Sequence, residues 1–484
     1  MERLNVIPYP NRVTYLNGTA ESAKVMAAVE ERLIPDSMGD EAYRLMVRDN
    51  AAVITAATRR GLFYGRKTLE QLAAAPSFPC VIIEDAPAFS YRGFMVDTVR
   101  HMVSIEDTKK VIDAMAALKM NTMHWHLSDD QGWRVQIDAL PRLMSEAAVR
   151  KASRFGDEND DTPYGGWFTK AEIKEIVDYA ASRFIDVVPE IDMPGHMSAL
   201  LHAYPALSCK GEDIEVVVKQ GIFPNILCAG KEDTFRAVFR ILDELTALFP
   251  APYFHIGGDE APKKRWKECP DCQKRMRELG LKDEEELQSW FTDRVSKYLA
   301  AKGKKTVVWN ESLKGGKLCD VRVQYWMHDL PLTLSYANRG GQVIMSDFYH
   351  YYVDYPYAMT PLKKTYDFDP LIKGLNDIGR RSIVGVETPL WTEYVRDFDR
   401  FCYMAFPRFA AVAETGWTRA KNKNEPDFER RFVIFTDLLQ KLGITPAPEE
   451  AWNPVGAKRL PDLWRFYRPV VKDFLSGDEK KNKK

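Results

Sequence analysis

The spacing of hydrophobic and polar residues changes at about Tyr91. From there on, short runs of β-branched and aromatic residues alternate with longer segments whose apolar residues recur every three or four positions. The first pattern is typical of buried strands and the second of amphipathic helices. Eight runs follow one another: GFMVDT, NTMHWHL, IDVVPEI, YFHIGG, KTVVWN, RVQYW, QVIMSD and SIVGVET. Eight strand-then-helix units predict an α/β fold, the (β/α)8 TIM barrel.

The segments between the runs show helix signals. In SIEDTKKVIDAMAALKM, Ser104 and Asp107 have the spacing of a helix N-cap, and Val111, Met115 and Leu118 fall on one helical face. The two weakest units are the short RVQYW and the long irregular connection after QVIMSD. The count of eight strands depends on these two.

The same patterns divide the chain into three regions. Residues 1–88 combine alternating stretches such as YRLMVRD and AAVITAAT with the helical run GLFYGRKTLEQLAA, which predicts a small N-terminal α/β domain. Residues 89–445 contain the predicted catalytic barrel. Residues 446–484 are expected to form a C-terminal extension with the helix GAKRLPDLWRFYRPVVKDFL and the basic tail GDEKKNKK.

Composition and charge favour a neutral partner. Of the 484 residues, 45% are hydrophobic and 28% charged, and the net charge is -1, so there is no basic surplus to attract nucleic acid or an anionic membrane. The start, MERLNVIPYP, lacks the features of a signal peptide. We expect the chain as written to be cytoplasmic, or periplasmic or secreted if a native export signal has been removed. The sequence leaves the oligomeric state open.

The seven cysteines are unevenly spaced, which argues against a disulfide framework. The one close pair, Cys269 and Cys272, lies in CPDC. A CxxC pattern without a second such pair is weak evidence for zinc. We expect these two residues to be loop thiols, and we expect no metal and no cofactor.

Barrel enzymes carry their chemistry at the C-terminal ends of the strands, where the connecting loops meet. In this chain every one of those positions holds a polar or aromatic residue. In strand order they are Arg100; Asp129; Asp192 and His196; Asp259 and Glu260; Trp309; Trp326; Tyr352 and Asp354; and Trp391 and Glu393. The sequence therefore predicts one functional site at this end of the barrel.

Several of these residues have a plainer interpretation. Arg100 and Asp129 could form a structural ion pair, and His196 could merely hold a loop. A tryptophan that ends a buried strand usually belongs to the core, although three such residues around one barrel mouth favour a stacking cage.

The segment HIGGDE, residues 255–260, is harder to explain in this way. Its two glycines let the backbone turn tightly and approach a ligand. Its adjacent acids, Asp259 and Glu260, resist ionising together, so in a shielded place the pKa of one of them tends to rise. This favours two different roles for the two carboxyl groups.

Seven segments, in order and at their spacings, resemble glycoside hydrolase family 20, the β-N-acetylhexosaminidases. The resemblance covers nearly the whole chain, because the family also has a small α/β domain before its barrel. It implies an exo-acting enzyme for glycans with a terminal non-reducing, β-linked GlcNAc or GalNAc. The segments are DTVRHMVSIED, HWHLSDDQGWR, PEIDMPGH, HIGGDE, VVWNE, YYVD and GVETPLWTE.

The resemblance also implies the mechanism. In this family the substrate's own 2-acetamido oxygen attacks C1, which forms an oxazolinium intermediate and retains the anomeric configuration. Asp259 matches the residue that accepts the acetamido N–H hydrogen bond and stabilises the developing positive charge. Glu260 matches the general acid and base. We therefore expect Asp259 to stay ionised and Glu260 to hold a proton before the reaction.

By the same resemblance, Tyr352 is the hydroxyl donor to the acetamido carbonyl, with Tyr349 and Tyr351 as alternatives if the loop is shifted. The walls that press the acetamido group toward C1 are Trp309, Trp326 and Trp391. The groups that bind the outer hydroxyls of the sugar are Arg100, Asp354 and Glu393. Asp129 and His196 match supporting positions near the acid and base.

Three alternatives remain at this point. His124 and His126 in HWH resemble the paired histidines of metal-dependent barrel hydrolases, although Trp309 and Trp326 stand where further ligands would be needed. A noncatalytic glycan-binding protein could keep the same cage. Within the family, a lacto-N-biosidase-like enzyme would release a disaccharide.

Overall fold

The computed structural model describes residues 3–316, 318 and 320–476. The N-terminal domain is a five-stranded sheet with the order β1-β5-β3-β4-β2. All neighbours are antiparallel except β2 and β4. The strands are β1 (Val13–Glu21), β2 (Val29–Leu33), β3 (Tyr43–Arg48), β4 (Ala51–Ala56) and β5 (Ser77–Asp85).

The second domain is a closed barrel of eight parallel strands, and each strand pairs with the next in the chain until the last meets the first. The predicted TIM barrel is thereby confirmed, including the two weakest strands. The strands are β6 (Tyr91–Asp97), β7 (Thr122–His126), β8 (Asp186–Glu190), β9 (Tyr253–His255), β10 (Lys305–Trp309), β11 (Val321–Tyr325), β12 (Val343–Met345) and β13 (Ile383–Leu390).

Nineteen α-helices lie within the described residues. They are α1 (Ser22–Ala27), α2 (Arg59–Leu72), α3 (Ile105–Ala117), α4 (Arg142–Ser145), α5 (Lys170–Ala181), α6 (Ser198–Ala203), α7 (Glu232–Leu248), α8 (Lys264–Glu268), α9 (Pro270–Leu279), α10 (Glu284–Ala301), α11 (Leu330–Asn338), α12 (Phe348–Tyr351), α13 (Leu362–Asp367), α14 (Asp377–Ser382), α15 (Phe398–Ala405), α16 (Arg408–Trp417), α17 (Glu425–Lys441), α18 (Glu449–Trp452) and α19 (Leu460–Ser476). Helix α2 packs on the N-terminal sheet, and helices such as α5, α10 and α16 pack against strands of the barrel.

Local sequence signals explain where these helices begin. The Ser104 side chain accepts a hydrogen bond from the Asp107 backbone N–H, as its N-cap position predicts. At α5, Thr169 and Glu172 form a complete capping box. The predicted C-terminal helix begins at Leu460, and the tail GDEKKNKK lies outside the described residues. None of the described helices is long and apolar enough to cross a membrane.

Buried ion pairs join the N-terminal domain to the barrel. Arg92 of β6 is fully buried and donates two hydrogen bonds to Glu41, at 2.9 and 2.8 Å. Lys119 lies 3.4 Å from Asp85 at the end of β5, and the Trp417 indole N–H donates to the same carboxylate at 2.8 Å. These charges face each other across the junction, so the two domains pack as one body.

Candidate active site

One cavity lies at the C-terminal ends of the barrel strands and has a volume of about 190 Å³. It is lined by ten of the eleven residues that the family resemblance assigns to the site. They are Arg100, Asp129, His196, Asp259, Glu260, Trp326, Tyr352, Asp354, Trp391 and Glu393. Loops that are far apart in the chain are brought together here because parallel barrel strands all end on the same face.

Steric contacts explain why HIGGDE has glycine at two successive positions. Gly257 has a φ of +64°, and a Cβ atom there would lie 1.7 Å from Oδ1 of Asp192. Gly258 has a φ of +102°, and its Cβ would lie 2.2 Å from Oγ of Ser312. The Gly258 N–H donates to Asp192 Oδ1 at 3.0 Å, so the turn is fastened to the neighbouring loop and delivers Asp259 into the cavity.

Replacing Gly257 by Ala is expected to destabilise the fold by about 1–3 kcal/mol more than replacing Gly280, because the new methyl group collides with Asp192. Gly280 is a matched control, since it has the same φ of +64° and no atom within 4 Å of the place that a methyl group would occupy. Urea unfolding of both variants measures the difference. Equal losses of free energy would show that the contact with Asp192 relaxes freely.

The buried surroundings of Asp259 disfavour its ionised form, so its ionisation during the reaction stays a prediction. Burial raises its pKa well above the ordinary value, and the negative charge of Asp192 raises it further. Asp192 is itself buried, with a pKa that burial raises well above its usual value, and one of its carboxylate oxygens lies within 4.8 Å of one of Asp259. Two buried carboxyl groups this close titrate as a pair. The sequence points only to the neighbour in the chain, Glu260, whereas the closer electrostatic partner comes from the loop after β8.

Glu260 occupies a more open position than Asp259. Its side chain is 29% exposed, against 13% for Asp259. It has a φ of +44°, and its backbone N–H donates to Glu311 at 3.3 Å. His196 Nε2 lies 3.6 Å from the Glu260 carboxylate, while His196 Nδ1 lies 3.1 Å from Asp129. The histidine therefore links Asp129 to the residue at the cavity mouth.

Arg100 holds three carboxylates on one side of the cavity. Its guanidinium lies 2.7 Å from Asp129, 3.2 Å from Asp97 and 3.7 Å from Glu393. Burial opposes its charge, but these three neighbours outweigh burial and raise the pKa of Arg100 well above its usual value. Burial raises the pKa of Asp354, and the nearby Glu393 adds to that effect. Arg100 and Asp129 thus form the ion pair that the plainer interpretation suggests, and both residues also line the cavity.

The aromatic residues form one wall of the cavity. Trp326 stacks on Tyr352 with 6.1 Å between ring centroids, and Trp391 lies 6.5 Å from Tyr352. Trp309 is buried in the same aromatic cluster, 6.1 Å from Trp391, and its indole N–H donates to Glu190 at 2.8 Å. Its role as a wall of the acetamido pocket stays a prediction.

Of the three candidate tyrosines, only Tyr352 faces the cavity. It lines the cavity together with Asp354. Tyr351 is fully buried on the other side and packs edge-on against Phe368, and Tyr349 is 55% exposed. The loop is therefore in the register that the Tyr-x-Asp pattern requires.

His124 and His126 belong to a buried network under the site. His124 contacts Glu387 at 2.9 Å and Glu190 at 3.1 Å, and His126 contacts Glu190 and Asp129. Burial opposes a charge on these rings, but the carboxylates outweigh it and raise their pKa values to about 9 and about 10. Both ring nitrogens of each histidine lie beside a carboxylate, so the two residues form an ion-pair network beneath the cavity.

Several residues of the site have little in the sequence to mark their role. Asp192 is marked only by its place after a strand and by its membership of PEIDMPGH, and Glu311 only by its membership of VVWNE. Tyr355 and Tyr394 also line the cavity, each directly after a recognised motif residue. Gln220 comes from the long segment between α6 and α7, which has no pattern that could have indicated it.

Comparisons with known proteins agree with this geometry. The family model for the glycosyl hydrolase family 20 catalytic domain matches residues 89–420, and the one for domain 2 of the same family matches residues 20–86. A crystal structure of a β-N-acetylhexosaminidase superposes with a TM-score of 0.87 at 33% identity and covers 94% of this chain and 100% of that one.

Two curated relatives extend the match. A β-hexosaminidase of Porphyromonas gingivalis is 41% identical over 437 residues, which span 85% of this chain and 55% of that protein. A β-hexosaminidase of Akkermansia muciniphila is 35% identical over 455 residues, which span 90% of each protein. The catalytic-domain match alone covers well over half of the sequence. The chain therefore belongs to glycosyl hydrolase family 20.

Proposed function

We propose that this chain is an exo-acting β-N-acetylhexosaminidase that removes one terminal GlcNAc or GalNAc with retention of configuration, through the substrate's own acetamido group. The names of its relatives, β-hexosaminidases, support this assignment. The observation that carries it is at Asp259. Its Oδ1 atom is buried and has no hydrogen-bond partner among the described residues, although the carboxyl group lines the cavity. A buried acceptor of this kind calls for a donor, and an acetamido N–H supplies one.

The acetamido group would be fixed at both ends. Asp259 accepts its N–H, and the Tyr352 hydroxyl donates to its carbonyl oxygen. Burial raises the pKa of Tyr352 well above its usual value, so the phenol keeps its proton. A protonated phenol can donate its hydrogen to the carbonyl oxygen of the substrate. Trp326 and Trp391 then hold the group near C1, and such positioning removes much of the entropic barrier.

Asp192 allows the two carboxyl groups to differ in protonation, with the proton on one and the negative charge on the other. In the Asp192–Asp259 pair one shared proton suffices, because burial disfavours two charges. When the substrate N–H reaches Asp259, that carboxylate gains a hydrogen bond that only its ionised form accepts fully. The proton then resides on Asp192, and Asp259 carries the negative charge that stabilises the oxazolinium.

Glu260 is suited to the proton transfers. It stands at the mouth of the cavity, where the departing sugar or aglycone and later the attacking water must pass. As the acid it protonates the glycosidic oxygen, and as the carboxylate it takes a proton from water in the second step. Water adds to the same face that the leaving group left, so the configuration is retained.

The lining and the size of the cavity suit a single sugar. Arg100, Asp354 and Glu393 line it and offer one cation and two carboxyl groups to ring hydroxyls. Oδ1 of Asp354 also has no hydrogen-bond partner among the described residues. A volume of about 190 Å³ is below the range of roughly 300–1,000 Å³ that holds drug-sized ligands. These features favour release of a monosaccharide over release of a disaccharide.

The test compares two aryl β-glycosides that differ only at C2, one with the acetamido group and one with a hydroxyl. We expect turnover of the acetamido sugar and at least a roughly 10³-fold lower kcat/KM for the hydroxyl sugar, since only the former contains its own nucleophile. Comparable rates would require a nucleophile from the protein. An aryl lacto-N-bioside serves as the third substrate, and its faster cleavage would instead assign a disaccharide-releasing enzyme.

A further inference from the structure

Four cysteines from three separate parts of the chain converge beside the barrel. Cys209 follows α6 and Cys228 precedes α7, whereas Cys269 and Cys272 stand at the start of α9. The four sulfur atoms all lie within 4.8 Å of one another. Three of the four are buried, and all four are free thiols. The isolated CPDC pair of the sequence is therefore half of a four-sulfur cluster.

The distances in this cluster fit a shared ion better than disulfides. The Cys228 sulfur lies 3.7 Å from that of Cys269 and 3.6 Å from that of Cys272, and the sulfurs of Cys209 and Cys272 are 3.9 Å apart. A disulfide requires about 2.0 Å. Four thiolates at about 2.3 Å from a tetrahedral zinc ion are about 3.8 Å from one another. Cys228 is also equally near to two partners, which a single disulfide does not explain.

The backbone around the cluster is shaped for close approach. A Cβ atom at Gly230 would lie 2.2 Å from the carbonyl carbon of Asp271 and 2.4 Å from the nitrogen of Cys272. Only glycine allows the loop that carries Cys228 to meet the first turn of α9 at this distance.

The surrounding charge suits a tetrathiolate site, whose net charge with Zn²⁺ is negative. Cys269 is the N-cap of α9 and Cys272 lies in its first turn, so both face the positive end of the helix dipole. Lys231 donates to the backbone carbonyls of Ala206 and Ser208, close to Cys209. Arg275 donates to the carbonyl of Gly230 at 3.2 Å.

We propose that Cys209, Cys228, Cys269 and Cys272 bind one structural Zn²⁺ ion. Four sulfur ligands leave no open coordination position, which is the mark of a structural rather than a catalytic zinc site. The ion fastens the long segment between α6 and α7 to the segment that follows HIGGDE. This replaces the expectation that Cys269 and Cys272 are loop thiols and that the chain binds no metal.

Two hydrogen bonds connect the four-sulfur cluster to the active-site loops. The Leu227 N–H donates to the carbonyl of Pro194 at 3.0 Å, and the Trp266 indole N–H donates to the carbonyl of Leu227 at 2.8 Å. Pro194 precedes His196, the residue beside Glu260. The ion thus braces the loops after β8 and β9 from outside the cavity, without contact to the reacting atoms.

The first test is the metal content and thiol accessibility of the full chain, produced with zinc in the medium and freed of loose ions by gel filtration. We expect one zinc per chain by mass spectrometry of the metal. We also expect a mercurial reagent to release that zinc in proportion to four thiols. Absence of metal from this protein, with either four reactive thiols or two disulfides by peptide mapping, would overturn the proposal.

Variants then locate the ion. Cys228→Ser and Cys272→Ser are expected to lower the zinc content at least tenfold, whereas Cys402→Ala, at a buried thiol in α15 outside the cluster, should keep it. Unchanged zinc in the first two variants would place the ion elsewhere. If these variants do not fold, cobalt exchanged into the wild-type chain decides the matter. Tetrahedral tetrathiolate cobalt has characteristic visible bands, and a spectrum of octahedral cobalt would refute the assignment.

Discussion

Replacing Glu260 by Gln is expected to slow the hydrolysis of a chitobiose-type substrate by about 10²–10⁴-fold, while an aryl glycoside with a good leaving group loses far less. The amide cannot protonate the glycosidic oxygen, and only the poor leaving group needs that proton in the first step. The measurement is kcat/KM for a series of leaving groups of different pKa. A steeper dependence on leaving-group pKa in the variant is the expected result.

Glu311→Gln provides the matched control for this prediction. Glu311 accepts hydrogen bonds from the Glu260 backbone N–H and the Trp326 indole N–H, both at 3.3 Å. Its replacement removes a neighbouring negative charge but no proton donor, so both substrate classes should change by the same factor. If Glu260→Gln also affected all leaving groups equally, its role as the acid would be contradicted.

Replacing Asp259 by Asn is expected to lower kcat by about 10²–10³-fold, roughly 3–4 kcal/mol of transition-state stabilisation, with a smaller change in KM. The charge of Asp259 matters most when positive charge develops on the acetamido group. An uncharged Asn keeps the shape and loses that interaction. Affinity for a thiazoline analogue of the oxazolinium should fall together with kcat.

The pH dependence supplies a second readout for the same variant. The Asp192–Asp259 pair must lose one proton before Asp259 can act as an anion, and burial raises the pKa of Asp259 well above its usual value. In the wild type, kcat/KM should therefore fall as the pH drops through that raised pKa, and this acid limb should disappear in Asp259→Asn. Asp354→Asn, the same change in the same cavity, should retain the limb. A loss of substrate binding alone, with kcat and the limb unchanged, would argue against the proposed role.

The sequence predicts the barrel well because its physical signals are local. Runs such as SIVGVET are buried on both faces of a parallel sheet, so they read as continuous apolar strands, and the C-terminal ends of parallel strands meet on one face. That rule alone is enough to bring Arg100, Asp259 and Glu393 together from positions hundreds of residues apart. The signal would fail for a strand without such a run.

Contacts between loops could not be predicted in this way. The pairing of Asp192 with Asp259 depends on the positive φ of Gly257 and on the exact exit of the loop after β8. Trp309 ends its strand like the other tryptophans, but its indole N–H points toward Glu190. No periodicity in the sequence encodes either of these directions, because both depend on how side chains from distant parts of the chain pack against one another.

The ion pairs between the two domains also bear on what counts as a folding unit. Sequence patterns and family matches both mark a boundary just before β6, and a protein engineer would cut the chain there. Yet removal of residues 1–88 would leave Arg92 and Lys119 without Glu41 and Asp85, their partners on the other side of the junction. Removing one member of a buried ion pair typically costs about 3–5 kcal/mol. The barrel therefore inherits part of its stability from the smaller domain, and the isolated barrel is a poor candidate for a minimal enzyme.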